Sequence, residues 1–185
     1  TTQIVASNIG ETASVDTADV DQDGDMDVVS ISPDRKKVHW HDNDGAENFT
    51  AIEIATDKEG VVDVAVTDID DDGDEDVVVV SDTTDSITVY RNDGAQNFTE
   101  EQIDEGRTNS KFVEIVDIDG DGDLDIVSSS AESGRILWHE NDGSNRSSFT
   151  THSVRSAGES ISSLKSGDID NDGDEDIVLT LDSAN

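Results

Sequence analysis

The chain has 185 residues and carries 46 acids against 11 bases, a formal charge of −35 at neutral pH. That length supports one substantial hydrophobic core, while the charge repels nucleic acid and anionic membrane surfaces, so neither is an expected partner. With no cysteine there is no disulfide, thiolate ligand or thiol nucleophile, and no apolar run of about 18 residues predicts a membrane-inserted helix.

Low hydrophobicity with high net charge is the usual pattern of disorder. Here, however, the acids are patterned and the apolar residues fall in short β-branched runs. Thr1 aligns with Thr50, so the chain is expected to open on the outer strand of a repeat. The first acidic segment is DVDQDGDMD, Asp19 to Asp27. A β-rich run follows and ends in WHDNDGAENFT from Trp40, whose Asp-Gly pair favours a tight hairpin turn. FTAIEIA (Phe49 to Ala55) then reads as another strand, and VVDVAVTD (Val61 to Asp68) alternates with a period of two.

The cycle then repeats. DIDDDGDED spans Asp68 to Asp76, DIDGDGDLD spans Asp117 to Asp125, and DIDNDGDED spans Asp168 to Asp176. Their glycines, Gly24, Gly73, Gly122 and Gly173, are spaced 49, 49 and 51 apart. Gly45, Gly94 and Gly143 of the NDG turns keep the same 49-residue period. The two extra residues of the third repeat lie between Gly143 and Phe149, inside a turn, where insertions are best tolerated. In the second repeat VVVV (Val77 to Val80) is continuous, as expected of a strand covered on both faces, and SITVY (Ser86 to Tyr90) is a third β-rich run.

Four strands per repeat at this period predict an all-β fold, a β-propeller of four-stranded antiparallel blades. A parallel β-helix is disfavoured, since its coils are shorter and lack hairpin turns. The repeats run approximately 1–49, 50–98, 99–149 and 150–185, with the last incomplete, so about 3.5–4 blades are expected in a single domain over 1–185. The economical reading is a segment of a larger propeller. A homodimer completing a ring by strand exchange and a four-bladed monomer with an incomplete last blade are the alternatives.

Each acidic segment reads D-x-D-x-D-G-D-x-D. Carboxylates at positions 1, 3, 5 and 9, a glycine at 6 and a backbone carbonyl at 7 match the oxygen cage of Ca²⁺, one ion per loop and four in this chain. Hard oxygen donors disfavour zinc and copper. Alternation leaves Val20, Ile69, Ile118 and Ile169 free to anchor each loop on the core. An EF-hand would require a bidentate Glu at position 12, where Ser30, Val79, Ser128 and Leu179 stand, and its flanks would be helices.

These loops, taken with the W-H-E-N-D-G…F-T landmark, resemble the FG-GAP/VCBS-type repeats of bacterial surface and secreted proteins, related to the integrin α propeller. The literal Phe-Gly and Gly-Ala-Pro landmarks are absent, so integrin-like ligand recognition is not carried over. The resemblance implies calcium between the first two strands of each blade. By that match the side-chain ligands are Asp19, Asp21, Asp23 and Asp27; Asp68, Asp70, Asp72 and Asp76; Asp117, Asp119, Asp121 and Asp125; and Asp168, Asp170, Asp172 and Asp176. Asp25, Asp74, Asp123 and Asp174 contribute backbone oxygen.

Trp40 and Trp138 occupy equivalent third-strand positions and are candidates for stacking on a glycan, against the structural reading of an aromatic wedged between blades. His41 and His139 give way to Tyr90 in the second repeat, which argues against a per-blade functional histidine. Asn48, Asn97 and Asn145 stand in N-x-S/T triplets but read as turn residues. No nucleophile–base pair or phosphate loop is visible, so the chain is not read as an enzyme. The expectation is a calcium-stabilised extracellular scaffold or adhesion module, secreted or at a bacterial surface, with a protein or glycan as partner. The alternatives are a lectin-like propeller or the non-catalytic propeller of a secreted polysaccharide-degrading enzyme. Outside the loops 23 acids still face 11 bases, which fits a marine or saline habitat.

Overall fold

The computed structural model describes residues 4–7, 9–105, 110–130, 133–143, 148–156 and 158–182. Among these every regular element is a strand. The first sheet orders β1 (Ser14–Asp16), β2 (Val28–Ser32), β3 (Lys37–Asn43) and β4 (Phe49–Ala55) side by side, all antiparallel. The second repeats this order with β5 (Val61–Thr67), β6 (Asp76–Ser81), β7 (Ser86–Asn92) and β8 (Phe98–Glu105). The third does so with β9 (Ser110–Val116), β10 (Asp125–Ser130), β11 (Arg135–Asn141) and β12 (Phe149–Ser156). A two-stranded sheet of β13 (Ser160–Gly167) and β14 (Asp176–Asp182) follows.

First strands neighbour one another in succession: β5 packs against both β1 and β9, and β9 against β13. Blades that face each other around their first strands form a β-propeller, so the predicted all-β architecture holds. Among the described residues it comprises three four-stranded blades and the first two strands of another. Membrane-crossing helices are absent among the described residues.

The hydrophobic core lies between blades rather than inside any one of them. Val77 and Val79 point to the first blade and join Trp40, Val29 and Ile31. Val78 and Val80 point the other way, joining Val113 and Ile126 of the third blade. A period of two therefore splits VVVV evenly between two interfaces, and all four are buried. Each contributes about 1.5–3 kcal/mol relative to exposure. The third interface sets Val127 and Ile136 against Ile161, Leu164, Ile177 and Leu179.

Two expectations are corrected. The opening outer strand is not formed over residues 4–7, and Ile4 is exposed; residues 1–3 lie outside the described set. An outer strand pairs only with a third strand, and the first sheet already has its own in β4. Nor does every second-position residue anchor its loop. Val20 and Ile69 are buried and Ile118 is partly so, but Ile169 is 59 % exposed. That residue faces the next blade, and among the described residues no blade follows β14.

Candidate metal centres

The acidic loops connect the first and second strands of each sheet. Two left-handed residues make the turn. Gly24, Gly73, Gly122 and Gly173 at position 6 have φ between 94 and 100°, which side chains oppose. Position 4 is also left-handed, and it holds Gln22, Asp71, Gly120 and Asn171. Glycine, Asn and Asp tolerate this region best, so position 4 carried a signal that the sequence reading passed over.

The carboxylates organise the loop in three ways. Position 1 accepts from the glycine amide at position 6: Gly24 to Asp19 at 3.0 Å, Gly73 to Asp68 at 2.8 Å, Gly122 to Asp117 at 3.0 Å and Gly173 to Asp168 at 3.1 Å. Position 5 accepts from the amide at position 7, as in Asp25 to Asp23 at 2.9 Å and Asp123 to Asp121 at 3.0 Å. In the first three loops position 9 is the most buried, whereas Asp176 of the fourth is exposed. Asp27, Asp76 and Asp125 are 0–1 % exposed. Each accepts from a third-strand amide: Asn43 at 2.7 Å, Asn92 at 2.8 Å and Asn141 at 2.8 Å.

Four groupings result. Oxygens of Asp19, Asp21 and Asp27 lie within 4.8 Å of one another, as do those of Asp68, Asp70 and Asp76, of Asp117, Asp119 and Asp125, and of Asp168, Asp170 and Asp176. Positions 1, 3 and 9 thus converge in every loop. Position 5 lies beside the triads rather than within them. Asp72, Asp121 and Asp172 stand outside these triads, and Asp23 groups instead with Asp21 and Asp42. The position-7 side chains of Asp25, Asp74 and Asp123 point away, to where any Cβ on Gly45, Gly94 or Gly143 would collide with them.

A family model for the FG-GAP-like repeat matches residues 19–79, 68–128 and 117–179. The chain belongs to the FG-GAP-like repeat family. Each match spans two successive acidic loops, so the unit it reads is the blade-to-blade step. Thirteen chains of solved structures resemble it. One is a lectin from Agrocybe aegerita described as recognising non-reducing terminal N-acetylglucosamine; it is 20 % identical with a TM-score of 0.63. The match covers 89 % of this chain and 46 % of the lectin's, so the chain spans about half the length of that neighbour. At that identity the likeness establishes the fold. No curated protein matches the chain.

In these FG-GAP-like repeats the NDG asparagine does more than turn the chain. The Asn92 Nδ2 donates to Val20 O in the preceding blade at 3.2 Å and to Glu75 O in its own at 3.3 Å. Asn141 Nδ2 does the same to Ile69 O at 3.1 Å and Leu124 O at 3.2 Å. One side chain clamps two acidic loops together. The connection after it is also longer than the expected tight turn, with Asn43 pairing Phe49 across residues 44–48. Asp44 accepts from the side chain of Asn48, and Asp93 from that of Asn97, which lowers both carboxyls from their ordinary value. Asn48 and Asn97 are therefore turn residues, and Asn145 lies outside the described residues.

The other candidates separate cleanly. Trp40 is fully buried against the second blade, so its face is closed to a glycan; the wedge reading is the one its position supports. Trp138 is partly buried and stacks on His152 at 4.7 Å. His41 and His139 are buried and meet Ser30 and Ser128 at 2.8 and 3.1 Å. Val79 and Tyr90 occupy both equivalent positions of the second blade, replacing the polar pair as a unit.

The donor set fits a hard cation. It is oxygen alone, the triads recur in one register, and Asp19 Oδ1 is buried with no hydrogen-bond partner. Burial, then Asp23 and Asp27, raise Asp21 above the usual carboxylate value, and burial, then Asp121, raise Asp119. Burial pushes Asp76 up to about 7, despite the Asn92 amide and Arg91. These groups bind protons more readily folded than unfolded, so without metal their stabilisation is present at low pH and lost as pH rises towards 7. His39 and His41, lowered by burial, oppose this below about 6.5. In chelator the melting temperature should climb as pH falls from about 8 to about 5.5. A flat or falling profile over that range would contradict this assignment.

Proposed function

We propose that the chain is a calcium-stabilised β-propeller of an extracellular protein, acting as a scaffold or adhesion module rather than as an enzyme. One observation carries this reading: the same triad of carboxylates at positions 1, 3 and 9 recurs in all four loops. Calcium bound there supplies positive charge at each loop. The chain's own residues do the rest. Position 1 holds the glycine turn, and position 9 ties the loop to the third strand. The NDG asparagine carries the same order into the next blade. The surplus acids outside the loops fit a secreted or surface protein of a saline habitat.

A glycan partner is the second reading, favoured by the Agrocybe aegerita lectin among structures of the same fold. Trp40 is unavailable for it, so recognition would use the rims between blades. A glycan array that includes terminal N-acetylglucosamine, run with calcium and again with chelator, separates the two. Hits that vanish in chelator support a lectin. An empty array leaves a protein-binding module, and turnover of any polysaccharide would overturn the non-enzymatic assignment.

A further inference from the structure

The four loops are not electrostatically equivalent, and a single third-strand position makes the difference. It is the residue just before the NDG motif: Asp42 in the first blade, Arg91 in the second and Glu140 in the third. Asp42 groups its carboxylate with Asp21 and Asp23, adding a negative charge to the first loop. Arg91 does the opposite. Its Nη1 stands 3.4 Å from Asp70 Oδ2 and 3.4 Å from Asp76 Oδ2, two of the three members of the second triad. Its Nε donates to Glu101 at 3.1 Å. The Arg91 side chain is 13 % exposed, and its guanidinium lies 6.0 Å from the ring centre of Phe149, on β12 of the third blade.

We propose that Arg91 serves as a built-in cation for the second loop, making it the weakest calcium site of the three complete blades and the one that keeps its shape without calcium. The proposal rests on the calcium reading above. A planar guanidinium satisfies two carboxylates at once. An incoming ion at this loop must displace or face that positive charge, whereas at the first loop it meets an additional carboxylate. The second blade is also central, packed on both sides. A loop ordered there without metal gives its neighbours a preformed surface to dock on.

Calcium titration calorimetry on the stripped chain tests this with Arg91→Gln and Arg91→Lys. In wild type the second loop should bind at least tenfold more weakly than the first and third. Arg91→Gln should tighten one site by at least tenfold, and Arg91→Lys, which keeps the charge, should not. Adding Asp70→Asn to Arg91→Gln should remove the tightened site, which locates it. Hydrogen exchange in chelator is the independent readout. Residues 68–76 should stay more protected than 19–27 and 117–125, and Arg91→Gln should remove the difference. Equal affinities at the first three loops, unchanged by Arg91→Gln, would overturn this inference alone. Absence of binding at every loop would overturn the calcium reading and this inference with it.

Discussion

Stripping calcium should lower the melting temperature of this chain by well over 10 °C, and adding it back should restore the melt. A site saturated at about a thousand times its dissociation constant stabilises by about 4 kcal/mol. For a domain of this length each kcal/mol moves the midpoint by about 2–4 °C. One loop therefore accounts for about 8–16 °C, and several loops act together. The structure explains why the loss spreads. Asn92 and Asn141 fasten the second and third loops to the blade before each, so a loop that loses its shape releases an interface as well as a turn. Magnesium at the same concentration should restore less, because it keeps more of its water and demands stricter geometry. A differential scanning experiment with chelator, calcium and magnesium reads all three. A melt indifferent to chelator would remove the central claim about this protein.

The second large effect belongs to position 9. Asp125→Ala should cost about 4 kcal/mol even in chelator, which is about 10 °C, whereas Asp121→Ala should cost about 1 kcal/mol or less there. Asp125 is fully buried and accepts from both Ile118 N at 3.1 Å and Asn141 N at 2.8 Å. Its removal leaves two inward amides without an acceptor, each costing about 1–3 kcal/mol. Burial raises the Asp125 carboxyl above its ordinary value, so losing the charge returns part of that cost. Asp121 is exposed apart from the bond it accepts from the Asp123 amide. Both variants should weaken calcium binding at the third loop, but only Asp125→Ala should melt early without metal. Equal melting temperatures in chelator would show that position 9 is a ligand and nothing more.

Much of this site could be read from the chain alone because its signals are local. A nine-residue loop needs acids at alternate positions and a glycine where φ is left-handed, and both requirements act within a few residues of sequence. The strands were equally legible, as the alternation of VVDVAVTD and the solid run VVVV report how many faces are covered. What escaped was relational. Asn92 read as part of a turn, yet its side chain reaches Val20, 72 residues earlier. Ser30 and His41 are 11 residues apart in the chain, and only the pairing of β2 with β3 brings them to 2.8 Å. Trp40 carried two readings, and burial between blades chose one.

The repeat, the strand order within a blade and the acidic loop with its turn are all legible in the chain, because each depends on backbone conformation and periodicity at short range. Packing across strands set which carboxylates converge, made position 9 a strut as well as a member of each triad, and made the loops differ. Those outcomes depend on which third strand lies across each loop. Arg91 among the second loop's aspartates and Asp42 among the first loop's are set by packing, since a charge has no sign of its effect until its neighbours are in place.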